Sequence, residues 1–259
     1  MVAFGRISLA ATFLLFIVFY NKYTFPKDKE SWLILILAGI LNNAIPFYLI
    51  SWGQQYISSS TASIMLSSGP FIALILSHYT TKDEKLTLFK LIGVLLGFLG
   101  VFILIGGDFV VGDIDAIYGQ LAVLLATIGY ISSGILIRKV RNINVVICST
   151  SMFLTATLVM LPFVSIVEIM SIDFRSVSVM SIIYLAIVPT AIASLVRVKL
   201  VQRVGIQFMS QVSYLIPIFA IIWAWIFLDE LPNSNAIIAL FLILLGLYIR
   251  SLKSKINLF

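Results

Sequence analysis

One cysteine, Cys148, and one histidine, His78, in 259 residues leave no disulfide framework and no cysteine/histidine cage for a metal. Charge is scarce as well. Only 11% of residues are Asp, Glu, Lys or Arg, against about 25% in a soluble domain, so the chain lacks the polar surface needed to face water all round. A Walker signature is missing, and Gly106-Gly107 sits in a predicted loop without a phosphate-binding pattern. Met1 runs almost directly into an apolar span, with no basic leader region and no small-residue cleavage site. No cofactor, no metal and no direct use of ATP are therefore expected. What remains is apolar: 61% of residues are hydrophobic and mean hydropathy is +1.12. These residues come in blocks of membrane length, about 20 per crossing of a bilayer core of ~30 Å. Only helices and closed barrels satisfy their backbone in lipid, and runs this long and apolar are helices.

The expected fold class is an all-α integral membrane protein with nine transmembrane helices, at approximately 2–20, 32–50, 57–79, 86–106, 116–137, 144–168, 178–196, 206–228 and 233–250. Lys and Arg in short loops set orientation. Alternate connections carry Lys22, Lys27 and Lys29; Lys82 and Lys85; Arg138, Lys139 and Arg141; Arg197, Lys199 and Arg203; and the tail with Arg250, Lys253 and Lys255. That is 14 of the 17 basic residues. The opposite connections are acidic, with Asp108, Asp113, Asp115, Asp173, Asp229 and Glu230. The basic side reads as cytoplasmic, giving a multi-pass protein of the cell (inner, cytoplasmic) membrane with its C-terminus inside. The net charge of +6 is then a topology signal, and no nucleic-acid partner is expected. Nine spans also place Met1 outside. The sequence therefore predicts either a first helix inserted as a reverse anchor or a further helix upstream.

Residues 57–79 align with 204–226 at an offset of 147. Ser63 to Pro70 fall on Ser210 to Pro217, and Gln55 falls on Gln202. After a one-residue slip, Glu84 meets Glu230 and Gly100-Val101-Phe102 meets Gly246-Leu247-Tyr248. The matched helices cross the membrane in opposite senses, so the halves are inverted-topology repeats, an architecture that places a solute site near the midplane between repeats. The repeats are read as 1–110, with four helices, and 111–259, with five. A five-helix unit returns on the opposite side because five is odd.

The residues carrying this pattern are two proline-centred helices, each followed by an acidic loop and a glycine-containing helix. The first reads SIMLSSGPFIALILSHYTTKDEKLTLFKLIGVLLGFLGVFI and the second SQVSYLIPIFAIIWAWIFLDELPNSNAIIALFLILLGLYI. In these, and in Phe4-Gly5-Arg6-Ile7, the chain resembles the EamA family of the drug/metabolite transporter superfamily. That family normally has ten helices, the first of which has no counterpart in this chain. The resemblance implies export or exchange of small organic solutes, amino acids or related metabolites among them, by alternating access.

Pro70 and Pro217 remove backbone hydrogen bonds and kink their helices, either as gating elements beside a site or as purely structural bends. Polar stripes precede both prolines: Ser60, Ser63 and Ser67, then Gln207, Gln211 and Tyr214. Polar side chains avoid lipid and face a bundle interior, while serines also serve close helix packing. The candidate cavity lining is Asn42, Asn43, Ser67, Tyr130, Gln207, Gln211 and Tyr214, with Pro46 beside the asparagines. Interhelical hydrogen bonding is the competing explanation of the two asparagines. Arg6 is the one basic residue that could lie at depth, where a charge suggests function; from near a helix end it could instead snorkel to the interface. Gly93 and Gly97 form a G-x-x-x-G packing face, and His78 and Cys148 read as structural.

The function this supports is a secondary carrier, a permease or exporter whose partners are a small-molecule solute and membrane lipid. No span has an Asp or Glu in its middle third, which favours facilitated diffusion or exchange over proton coupling. A non-transporting membrane assembly subunit is an alternative. An intramembrane enzyme would need a nucleophile–base pair or a carboxylate-bound metal, which one histidine and no buried acid do not supply, so no catalytic residue is expected. Oligomeric state is not legible, and a monomer suffices.

Overall fold

Peptide groups in lipid have no water to bond, so apolar runs close their hydrogen bonds within themselves, as this chain does in its described helices. The computed structural model describes residues 2–80, 88–111, 113–163, 177–206, 209, 215–229, 232 and 234–256. Among the described residues there are helices and turns and no strand. Nine helical stretches follow one another among the described residues. They are α1 (Val2–Tyr20); α2 (Lys29–Gly39) continued by a π-helical turn (Ile40–Ala44) into α3 (Ile45–Gly53); α4 (Ser59–Ser67) with α5 (Gly69–Thr80); α6 (Leu88–Val111); α7 (Ile114–Lys139); α8 (Val145–Met160) with a 3-10 turn (Leu161–Phe163); α9 (Val177–Ala186) continued by a π-helical turn (Ile187–Ile192) into α10 (Ala193–Val204); α11 (Leu215–Leu228); and α12 (Ser234–Ile256). Six of these stretches contain segments long and apolar enough to cross a membrane, and apolar segments at Leu91–Ile103 and Ser234–Gly246 lie in α6 and α12. The order is that of the nine predicted spans.

Polar residues start the helices. Asp28 accepts the Ser31 N–H at 2.7 Å ahead of α2, and its contacts with Ser31 hold the exposed carboxyl below its usual range. Ser58 caps α4 and Asn144 caps α8 in the same manner. The break between α4 and α5 comes just before Pro70. That proline has no N–H to offer the Leu66 carbonyl, and Ser68 adapts by turning both its N–H (3.1 Å) and its Oγ (2.7 Å) to the Met65 carbonyl.

The chain forms two compact units, Met1–Ser51 with Ser132–Ile206, and Trp52–Ile131 with Gln207–Phe259. These are not the sequence halves 1–110 and 111–259: each unit takes helices from both. In the first unit, α1 presents Ile7, Ala10, Ala11 and Leu14 to Phe153 and Ala156 of α8 and to Ala44 and Ala191, one face at helical spacing. Helix α8 is its central element, with every residue from Ile147 to Phe153 buried. Lipid tails are as apolar as these side chains, so close contact rather than the hydrophobic effect holds such helices together. Gly39 shows how close: a Cβ there would stand 2.6 Å from the Met152 carbonyl oxygen.

In the second unit, Ile64 and Met65 of α4, Phe71 and Leu74 of α5, Val94 and Val101 of α6 and Ala239 and Ile243 of α12 share one core. The predicted G-x-x-x-G face packs as expected. Gly97 lies against the Phe71 ring, and a Cβ on Gly246 would come within 2.6 Å of the Gly93 carbonyl.

Candidate functional site

Two π-helical turns interrupt otherwise regular helices, and each follows from the backbone chemistry around a proline. In the second, Pro189 cannot donate to the Leu185 carbonyl. Thr190 supplies the missing donor through its hydroxyl, Oγ1 to Leu185 O at 2.7 Å. The first turn, Ile40–Ala44, precedes Pro46, and Ile45 N–H reaches back to Ile40 O in the five-residue π pattern. Adding 147 to Ile40–Ala44 gives 187–191, so the two turns occupy the same place in the two repeats. Such turns present side chains that a regular helix would aim elsewhere, and they concentrate at functional sites.

Both turns lie within the first compact unit, and Ala44 and Ala191 share its core. Asn42 (5% exposed) and Asn43 (1%) lie about half-way along Lys29–Gly53, and Thr190 (3%) about half-way along Val179–Arg203. The Arg6 guanidinium reaches from α1 into this level. Its Nη2 donates to Thr190 Oγ1 at 3.1 Å, and it lies 5.0 Å from the centroid of the Phe47 ring, a cation–π distance. Arg6, half-buried, is therefore turned toward Thr190 and Phe47 of its own unit. Phe47 stands one turn beyond Asn43 on the same helix face. Asn42 Nδ2 donates to Asn43 Oδ1 at 2.7 Å. The other amide atoms of the pair, Asn42 Oδ1 and Asn43 Nδ2, are buried without a hydrogen-bond partner among the described residues. Leaving a buried polar atom unmatched costs about 1–3 kcal/mol. The arrangement thus holds a cation, an aromatic face, an unmatched N–H donor and an unmatched carbonyl acceptor on neighbouring elements. Guanidinium and amide donors are groups that recognise carboxylates.

More polar groups line the interior of this unit. Ser194 Oγ donates to Ser149 Oγ at 3.4 Å, Ser133 Oγ donates to the Ala38 carbonyl at 3.1 Å, and the buried Ser151 Oγ has no partner among the described residues. Sequence reasoning missed Thr190, Phe47 and these serines. Two signals pointed to Thr190: Pro189 beside it, and the offset of 147, which projects Asn43 onto it.

The other predicted positions fall elsewhere. Ser67 is fully buried on α4, but its Oγ donates to Ile64 O at 2.6 Å, as Ser63 does to Ser60 O at 2.7 Å. Both hydroxyls are spent on their own helix. Tyr130 is half-buried on α7. Pro70 is buried at the α4–α5 break, and Pro217 is the third residue of the described stretch of α11. Gln207, Gln211 and Tyr214 lie outside the described residues, as does the His78 side chain. Cys148 is buried on α8. No cluster of His, Cys, Asp and Glu able to hold a metal occurs among the described residues.

Comparison with known proteins gives a consistent result. The model of the EamA-like transporter family matches residues 1–106 and 117–252. An uncharacterized transporter, YoaV, of Bacillus subtilis is 21% identical over 95% of this chain and 85% of its own. An uncharacterized transporter encoded in the trpA 3' region of Buchnera aphidicola is 28% identical over 90% of this chain and 75% of its own. A solved crystal structure superposes with a TM-score of 0.68 over 97% of this chain and 86% of its own, at 15% identity, which marks a shared fold.

Proposed function

Because the chain belongs to the EamA-like transporter family, we propose that this multi-pass membrane transporter is a secondary carrier of small carboxylate-bearing metabolites, amino acids foremost, working by alternating access. One observation carries the reading. The paired π-helical turns leave Asn42 Oδ1 and Asn43 Nδ2 buried and unmatched near a guanidinium held by Thr190 and Phe47. A solute that offers the missing donor and acceptor relieves their desolvation cost, and Arg6 compensates its carboxylate. The two turns come from different repeats, and tilting one repeat against the other would open the site to either side in turn. Gln207, Gln211 and Tyr214, in the stripe ahead of Pro217, are further candidates for solute contact, with Pro70 and Pro217 as bending points. The basic loops support a cytoplasmic C-terminus in a cell-membrane protein.

The test is counterflow into proteoliposomes with pooled labelled amino acids, nucleosides and sugars. Uptake of the amino-acid pool should depend on trapped solute. It should fall about tenfold or more in Asn43→Ala and Arg6→Gln, the loss expected when a hydrogen bond to a charged group is removed. Uptake confined to the carboxylate-free pools, or indifferent to both substitutions, would overturn the assignment.

A further inference from the structure

A second polar concavity lies at one end of the same unit. It is a cavity of about 520 Å³ lined by Arg141, Asn142, Ile143, Asn144, Val145, Lys199, Gln202 and Arg203. Three cations converge there and no carboxylate does. Arg141, Lys199 and Arg203 are exposed, and none has an ion-pair partner among the described residues. Charge spread along loops would suffice to orient the protein. Here it comes from two separate segments, the α7–α8 turn and the end of α10, and a specific contact joins them. The half-buried Gln202 donates through Nε2 to the carbonyls of Val140 (3.3 Å) and Ile143 (3.1 Å), pinning the turn to α10. The wall is completed by the N-terminus of α8, a helix of 16 residues capped by Asn144, whose positive end favours an anion. Gly205, at φ +86°, ends α10 with its N–H on the Val201 carbonyl, 3.1 Å away. The candidate membrane spans Val145–Phe163 and Val179–Arg203 begin and end at this cavity, which would set its mouth at the level of lipid headgroups.

We infer that this cavity is a phosphate-binding site at the basic face of the membrane, filled by the phosphodiester of an anionic phospholipid or by a free phosphate. Basic pockets between helix ends hold headgroups in this manner, and 520 Å³ is within the roughly 300–1,000 Å³ of small-molecule sites. The inference does not depend on what the protein transports.

The experiment uses the full chain in nanodiscs of equal phosphatidylcholine and phosphatidylglycerol, released into detergent for native mass spectrometry. A parallel arm measures thermal unfolding in pure phosphatidylcholine with inorganic phosphate against chloride at matched ionic strength. The protein should retain phosphatidylglycerol in preference, with retention falling roughly fivefold for each basic residue removed among Arg141→Gln, Lys199→Gln and Arg203→Gln. If lipid is retained and phosphate leaves unfolding unchanged, the headgroup is the ligand. A saturable stabilisation by phosphate that the triple variant loses, without lipid preference, makes the free ion the ligand. Equal behaviour of the wild type and the folded triple variant in both arms overturns the site. Should the triple variant not fold, Lys199→Gln against Lys199→Arg decides: equal binding by these two has the same meaning.

Discussion

Thr190 serves two neighbours with one hydroxyl: it donates to the Leu185 carbonyl and accepts from Arg6. Thr190→Val should lower the thermal midpoint by the equivalent of about 1–3 kcal/mol, the cost of an unmatched buried acceptor. Pro189→Ala returns a backbone N–H to the Leu185 carbonyl, so Thr190→Val should cost less in that background. A double-mutant cycle reads this coupling, and equal costs in both backgrounds would show that the hydroxyl does not replace the missing amide. Glycines divide by what faces them. Gly39→Ala drives a methyl into the Met152 carbonyl at 2.6 Å, whereas Gly5→Ala meets only the Ile182 Cγ2 methyl at 3.2 Å. Thermal unfolding should show the first destabilised by about 1–3 kcal/mol and the second nearly unchanged. Asn42 and Asn43 stand out in the sequence because polar side chains are rare in an apolar run and turn to the bundle interior. Thr190 is easier to pass over, since threonine commonly bonds its own helix; only Pro189 beside it and the projection of Asn43 across the repeat single it out.

At the scale of the element, the π-helical turns determine where the asparagines point, and no sequence pattern announced them. One extra residue per turn shifts a helical register, but the residues next to Ile40–Ala44 and Ile187–Ile192 are mostly apolar, so the shift leaves little trace in periodicity. Deleting Leu41 should restore a regular helix and leave the flanking residues on their present faces, re-aiming only the side chains within the turn. The expected product folds, with a thermal midpoint close to wild type, yet fails in counterflow. A deletion at Leu35, within regular helix and buried, should instead unfold the protein, and equal effects from both would mean the bulge is no reservoir of slack. The serine stripe of α4 presents the reverse case. Its pattern was plain in the sequence, but its meaning depended on whether each hydroxyl turned outward or back onto the helix. Ser63 and Ser67 turn back.

At the scale of the whole molecule, the helical class and the order of the described helices were legible because lipid thickness fixes helix length and loop charge marks each end. The grouping into two units was not, because it depends on which helices pack, and close packing is a property of pairs rather than of single spans. The orientation can be read directly. Cys148 is fully buried, so the folded protein should resist a membrane-impermeant maleimide. Gln54→Cys should label from outside intact cells, and Lys255→Cys only after permeabilisation; the opposite pattern would invert the topology. The two π-helical turns also make a paired design possible. Their spacing equals the 147 residues that relate the two halves, so a residue removed from one turn has its counterpart at the same place in the other, and each can be straightened alone or both together.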